Sequence, residues 1–195
     1  NMRENIFPMI EKIIDRAMDI YANEKVYPEE WDYPGLINYC EEFFAAEGRL
    51  KKEELEKLSR DELREELYKA AVESYDAREA LFGSDNMREL EKVVMLKVVD
   101  AKWMDHLDAM EMLRQGIGLR AYGQKNPLIE YKIEAFDMFQ QMIENIQDDI
   151  VKYIYRVNIV TQPEDRLQQA QASHGGEEAA SRQPIVNKGQ VGRND

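Results

Sequence analysis

Apolar residues recur at steps of three and four positions through most of the chain, the spacing that places them on one face of an α-helix. The first such run contains Ile6, Met9, Ile10, Ile13, Ile14, Ala17 and Met18. It predicts an amphipathic helix over about residues 1–22. Pro8 falls inside this run, where a proline costs about 3 kcal/mol, so we expect the helix to bend there or to begin near it.

An aromatic, turn-rich linker separates this helix from the next one. Pro34 suits the first helical turn, and Asp32 or Tyr33 is expected near the cap. The second helix is predicted to run to about Ala46 and to stop at Gly48. A short helical piece or loop is then anchored by Leu50, Leu55 and Leu58.

A capping box predicts where the next long helix begins. The hydroxyl of Ser59 can accept from the backbone N–H of Glu62, whose carboxylate can reach back to the amide of Ser59. This helix should end at Gly83, and Ser84 or Asp85 is expected to cap the one that follows.

Two long apolar stripes then predict an antiparallel helical hairpin. The first stripe comprises Leu96, Val99, Trp103, Leu107, Met110, Leu113 and Ile117. The second comprises Ile129, Ile133, Phe136, Phe139, Ile143, Ile146, Ile150, Ile154 and Val157. Because a short polar segment joins them, we expect two stiff helices packed along continuous apolar seams. Trp31 and Trp103 are interpreted as core anchors.

Composition and charge narrow the class of protein. The chain has 195 residues, 44% of them hydrophobic and 33% charged, which favours long exposed helices over a sheet and predicts an all-α fold. A net charge of −13 argues against nucleic acid as a partner. No apolar run approaches the roughly 18 residues of a membrane span. Beyond Thr161 the apolar pattern stops in favour of Gln, Ala and Gly, so residues 161–195 are expected to form a flexible, disordered tail.

The sequence contains no constellation typical of an enzyme centre. A phosphate-binding GxxxxGK[ST] loop and the common zinc signatures are missing, so neither ATP nor zinc is expected to bind these residues. Asp105, His106 and Asp108 form the nearest metal-like group, which we interpret as a solvated helix face. Cys40 is the single cysteine and is expected to be a buried thiol, which is compatible with a reducing cytosol.

One short stretch departs from the acidic character of the chain. No acid occurs between Met112 and Ile129, whereas Arg114, Arg120 and Lys125 are basic. Two interpretations remain open for this loop. It is either a solubilising hairpin tip, or a probe whose tyrosine, Tyr122, presses on an extended polypeptide.

The residues around this loop carry a specific resemblance to a known family. Residues 113–127 contain LRQGI, then LR, Y, QK and P in order, and Glu130, Tyr131 and Lys132 follow ahead of a Phe-rich helix. With Trp31-Asp32-Tyr33-Pro34-Gly35-Leu36 upstream, this pattern resembles the SecA preprotein translocase family over about residues 1–160. The chain starts abruptly in a helical pattern, and we expect it to be a C-terminal piece of a longer protein.

The resemblance implies a division of the chain and a set of site residues. Residues 1–83 would form the helical wing, 84–160 the part of the helical scaffold that contains the two-helix finger, and 161–195 a flexible linker. The residues expected to contact polypeptide at the finger tip are Arg120, Tyr122, Gln124 and Lys125. Arg114 and Gln115 are expected to contact the motor or the channel.

The family also implies a process, partners and cofactors. SecA proteins are bacterial ATPases that drive unfolded preproteins through the SecY channel from the cytoplasmic face of the plasma membrane. The expected partners are the motor domains, the SecY complex, the preprotein and a second SecA copy. ATP with magnesium would bind the motor and zinc a C-terminal tail, both outside this chain. The alternative is a helical interaction or oligomerisation scaffold with an inert tip.

Overall fold

The computed structural model describes residues 3–120 and 126–157, without the side chains of residues 119 and 120, and every regular element in these ranges is helical. The α-helices are α1 Arg3–Tyr21, α2 Tyr33–Phe43, α3 Lys52–Leu55, α4 Arg60–Phe82, α5 Ser84–Arg120 and α6 Pro127–Arg156, and Pro28–Glu30 form a 3₁₀ turn. The predicted all-α class is confirmed. The expectation of a disordered tail concerns residues outside the described ranges. Helices α1–α4 are called the wing helices below.

Helix α1 begins at Arg3 and continues through Pro8. Because proline has no amide hydrogen, the carbonyl of Glu4 loses its usual donor four residues later. The buried face of the helix offsets this loss. Its six buried side chains are each at most 1% exposed, namely Ile6, Ile10, Ile13, Ile14, Ala17 and Met18.

Helix α2 begins as predicted but ends earlier. The carboxylate of Asp32 accepts from the amide of Gly35 at 2.9 Å, which confirms the cap. A Cβ at Gly35 would lie 2.3 Å from a carboxylate oxygen of Asp32, so this close approach requires glycine. The expected end at Ala46 is wrong, because Phe44 leaves the helical conformation and buries its ring in the core.

Glycine defines the junction between α4 and α5. The capping box at Ser59 and Glu62 is confirmed at the start of α4, which ends at Phe82. Gly83 then adopts φ +82°, and its carbonyl accepts the first hydrogen bond of α5 from Met87 at 3.0 Å. Ser84 is already helical, so the expected cap at residue 84 or 85 is wrong.

The wing helices and the base of the α5–α6 hairpin share one hydrophobic core. Arg16 of α1 pairs with Asp148 of α6 at 2.5 Å, and Lys152 of α6 pairs with Glu42 of α2 at 2.5 Å. The hydroxyl of Tyr155 donates to the carbonyl of Ala71 in α4 at 2.9 Å. The base of α6 is therefore held by three wing helices.

Two predicted core residues of the wing are confirmed. Trp31 is 9% exposed, and its indole N–H donates to the carbonyls of Asn23 and Val26, each at 3.1 Å. Cys40 is fully buried, and this burial, with a smaller contribution from Glu41, raises the pKa of its thiol to about 12. The thiol therefore stays protonated and unreactive near neutral pH.

Candidate functional site

The predicted hairpin is confirmed: α5 and α6 pack against each other and are joined by a short connection. Their 37 and 30 residues correspond to about 55 Å and 45 Å of helix at about 1.5 Å per residue. Asn126 caps α6 by accepting from the amide of Leu128 at 3.0 Å. The hairpin thus carries its loop far from its base.

Of the residues expected to contact polypeptide, the structure describes only the backbone of Arg120. Arg120 is the last residue of α5, although its side chain is not described. Tyr122, Gln124 and Lys125 lie outside the described residues, between the end of α5 and the start of α6. Their role at the tip stays a prediction.

Arg114 and Gln115 turn back onto a neighbouring carboxylate. Two nitrogens of Arg114 donate to Glu111 at 2.9 and 2.7 Å, and the amide of Gln115 donates to it at 2.9 Å. These bonds, with Arg114 the larger cause, lower the pKa of Glu111 to about 2. Glu111 directly precedes the acid-free stretch. Its carboxylate compensates much of the positive charge of Arg114. Contact of either residue with a motor or channel stays a prediction.

The expected seams are not continuous: the predicted stripe is exposed between Leu96 and Leu107 on α5 and between Ile129 and Phe139 on α6. Along α5, Leu113 is buried, and Met110 and Ile117 are half-buried. Along α6, the least exposed apolar residues are instead Tyr131, Ala135, Met138 and Met142. The distal part of α6 is apolar on two faces, and the face that packs against α5 is the one that the predicted stripe left out.

Each helix of the hairpin also carries an exposed apolar face. The side chains concerned are between 40% and 63% exposed and comprise Leu96, Val99, Trp103 and Leu107 of α5 and Ile129, Ile133, Phe136 and Phe139 of α6. Their steps of three and four residues place them on one face of each helix. Exposed apolar surface of this extent is typical of a region that another protein surface covers.

Trp103 belongs to this exposed face, so its interpretation as a core anchor is wrong. It is 45% exposed, and its ring lies 5.8 Å from that of His106, which lies 5.9 Å from Phe139 of α6. The three rings link the two helices at mid-length. Among the residues that the structure describes, no three His, Cys, Asp or Glu side chains are grouped to hold a metal ion.

Sequence reasoning missed a buried polar pair at the base of the hairpin. Glu91 of α5 is fully buried and accepts a hydrogen bond from the hydroxyl of Tyr75 in α4, which is also fully buried. The sequence carried one signal for the burial of Glu91, which is its position among apolar residues at helical spacing. Met87, Glu91, Val94 and Val98 follow steps of four, three and four, so the glutamate occupies a core position on an apolar stripe.

Comparison with known proteins agrees with this architecture. A family described as the SecA wing and scaffold domain matches residues 1–158. The chain belongs to this family. The protein translocase subunit SecA of Pelotomaculum thermopropionicum is 49% identical over 195 residues, and that of Desulforamulus reducens is 46% identical over the same length. The corresponding subunit of Carboxydothermus hydrogenoformans is 46% identical over 190 residues.

The match to SecA covers the whole chain but only part of each relative. The first two relatives align with 100% of this chain, and this chain spans 22% of their length. The resemblance to SecA predicted from residues 113–132 is confirmed. Among the described helices, none combines the length and the apolar composition needed to cross a membrane.

The position of the hairpin seam can be tested by matched substitutions in α6. Met142 is 7% exposed and Phe136 is 62% exposed. Met142→Ala should lower the free energy of unfolding by about 2–4 kcal/mol, because it leaves a cavity in the seam. Phe136→Ala should change it by less than about 0.5 kcal/mol. Urea denaturation followed by circular dichroism measures both, and a larger loss for Phe136→Ala would contradict the observed seam.

The Glu111–Arg114 pair can be tested by titration. In the native chain the Glu111 carboxyl should titrate with a pKa of about 2. Its pKa should return towards the ordinary value of about 4.3 in Arg114→Gln, because the main stabilising partner of the carboxylate is removed. Carbon-detected NMR of the carboxyl group follows this change, with Lys132→Gln as the control. An ordinary pKa for Glu111 in the native chain would exclude the pair.

Proposed function

We propose that this chain serves protein translocation, as the part of an ATP-driven motor that delivers movement to an unfolded preprotein at the SecY channel. Its relatives are named protein translocase subunits, which supports the class of process. The observation that carries the mechanical role is a long hairpin whose base is embedded in a core while its distal half bears a loop.

Transmission of movement requires a base that cannot bend independently of its support. Residues 142–155 of α6 contribute buried side chains to the wing core, and Arg16–Asp148 and Lys152–Glu42 pair α6 with α1 and α2. Within the hairpin, Lys102 of α5 pairs with Asp149 of α6 at 2.8 Å. A displacement of the base is therefore carried along both helices to the loop.

The exposed apolar face supports a contact with the rest of a longer protein. Relatives are more than four times the length that this chain spans. Covering the eight exposed side chains of α5 and α6 would remove apolar surface from water, which favours association. We assign this face to contact with the motor domains, through which the hairpin restrains ATP turnover.

The remaining assignments follow from membership in the SecA family. Arg120, Tyr122, Gln124 and Lys125 contact the translocating polypeptide, and Arg114 and Gln115 face the motor or the channel. ATP and magnesium belong to the motor and zinc to a tail of the longer protein, which acts as a dimer. The protein works in the cytoplasm, peripherally at the inner face of the plasma membrane. Tyrosine suits the tip because it offers a large apolar face with few rotatable bonds.

The tip assignment is tested by Tyr122→Ala in the full-length protein. Transport of a preprotein into vesicles that contain the channel should fall by about tenfold, which corresponds to a loss of about 1.4 kcal/mol in the transport step. The matched control is Tyr27→Ala, since Tyr27 is a tyrosine of the wing that is 76% exposed. Thermal unfolding should be unchanged in both variants. Normal transport by Tyr122→Ala would overturn the assignment.

The restraint of ATP turnover is tested separately. Addition of this chain to a motor that lacks it should lower the rate of ATP hydrolysis, measured by phosphate release. The variant Trp103→Ser/Leu107→Ser should restrain ATP hydrolysis less, because it removes part of the exposed apolar face. Both positions are 45% exposed, so the change should have little effect on folding. An unchanged hydrolysis rate with the native chain would refute the restraint.

A helical scaffold for self-association is the second candidate, and the same exposed face favours it. In that case two copies of the chain would cover each other's apolar surface. Sedimentation equilibrium separates the two functions. A scaffold predicts a dimer that Trp103→Ser/Leu107→Ser dissociates, with preprotein transport unaffected by Tyr122→Ala.

A further inference from the structure

A charged cluster joins the wing to the base of α5. It consists of Arg3 of α1, Tyr75, Asp76 and Glu79 of α4, and Arg88 and Glu91 of α5, and is called the joint cluster below. Its contacts cross all three helices, which distinguishes it from the ion pairs within single helices.

Two arginines connect the carboxylates of the joint cluster. Arg3 pairs with Asp76 at 2.8 Å and with Glu79 at 3.4 Å. Arg88 pairs with Glu79 at 2.6 Å and with Glu91 at 2.9 Å. Glu79 therefore bridges both guanidinium groups, and its contact with Arg88 is the ion pair that a large movement of α5 relative to α4 would break.

Tyr75 lies at the centre of the joint cluster. Its hydroxyl donates to Glu91, and the guanidinium groups of Arg3 and Arg88 lie 5.2 Å and 5.9 Å from its ring centroid. Cation–π contacts at these distances add to the ion pairs. The ring also packs against Phe7 at 5.4 Å and against Tyr155 at 6.3 Å, so the hydroxyl has a fixed position.

The joint cluster contributes more to the relative orientation of the helices that it joins than to the free energy of unfolding. Three carboxylates face two guanidinium groups, and Glu91 is fully buried, so burial raises the pKa of its carboxyl. Desolvation of Glu91 offsets much of its attraction to Arg88, and the more exposed pair of Arg3 with Asp76 contributes little to stability. Their hydrogen bonds nevertheless require defined distances and angles.

The other contacts at this joint constrain direction less. Gly83 alone connects α4 to α5, and a Cβ built on it would meet nothing within 4 Å. The remaining contact between hairpin and wing combines apolar packing of Ile150, Val151 and Ile154 with the partly exposed ion pairs Arg16–Asp148 and Lys152–Glu42. Apolar contacts are non-directional and tolerate small shifts of one helix on another.

We propose that the joint cluster is a latch: when closed it fixes the angle at which the hairpin leaves the wing, and when opened it lets the hairpin base shift on the wing about Gly83. The latch decides whether wing and hairpin move as one body. Its open state exchanges ion pairs of the joint cluster for hydration, while the contacts of α6 keep the two parts joined.

Distances between spin labels test the latch in this chain. Cysteines replace Glu65 on α4 and Met112 on α5, both exposed positions, and native Cys40 stays unlabelled because it is fully buried with a raised thiol pKa. Pulsed electron paramagnetic resonance should give one narrow distance distribution. In Tyr75→Phe/Glu91→Met, which removes both partners of the central hydrogen bond, the distribution should be about twofold broader or gain a second distance.

The melting temperature of the same samples is also measured. It distinguishes a change in the angle between hairpin and wing from a loss of folding. The melting temperature of Tyr75→Phe/Glu91→Met should be unchanged or higher, because a buried carboxyl is replaced by an apolar side chain while Arg88, which is 30% exposed, keeps its pair with Glu79. A broadened distribution with retained stability is the expected result. A distribution as narrow as that of the native chain would overturn the latch.

A single substitution with a matched control covers the case in which the double variant does not fold. Tyr75→Phe removes the hydroxyl that contacts Glu91, and Tyr155→Phe removes a second buried hydroxyl, which donates to Ala71 outside the joint cluster. Tyr75→Phe should broaden the distance distribution, whereas Tyr155→Phe should leave it narrow. Equal distributions in the two variants would show that the cluster has only a structural role.

Discussion

Burial of the hairpin's base against the wing helices is the constraint on which the rest of the structure depends. Helices α5 and α6 extend well beyond the wing, so a force at either end acts on a long lever. Ile150, Ile154 and Val151 are at most 2% exposed and fix α6 in the wing core. Close packing of this kind does not deform continuously, which supports the proposal that the hairpin transmits a movement of its base.

Different interactions hold the two helices of this base in place. On α6, apolar burial supplies most of the contact, with Arg16–Asp148 and Lys152–Glu42 at its edge. On α5, a charged network surrounds the buried carboxylate of Glu91. Apolar burial stabilises many similar orientations of two helices, whereas hydrogen-bonded ion pairs require defined distances and angles. A joint that combines both is stable and also has a defined angle.

The distal half of the hairpin has the opposite character. It exposes apolar residues on both helices, and its seam relies on smaller or more flexible side chains such as Ala135 and Met138. Exposed apolar surface and a loop that differs in charge from the acidic body suit a segment that works against other surfaces. Arg114, at the start of the acid-free stretch, pairs with Glu111 one turn earlier on the same helix.

Local sequence determined the helices, the capping box at Ser59, the hairpin and the family, because helical periodicity and caps depend on near neighbours along the chain. Only the tertiary structure decided which face of each long helix is buried. The distal part of α6 offers two apolar faces, and the choice between them depends on the shape of α5, which no local pattern records. The same reason hid Glu91: its carboxylate is buried against Tyr75 of α4, which lies on another helix and meets it only in the folded chain.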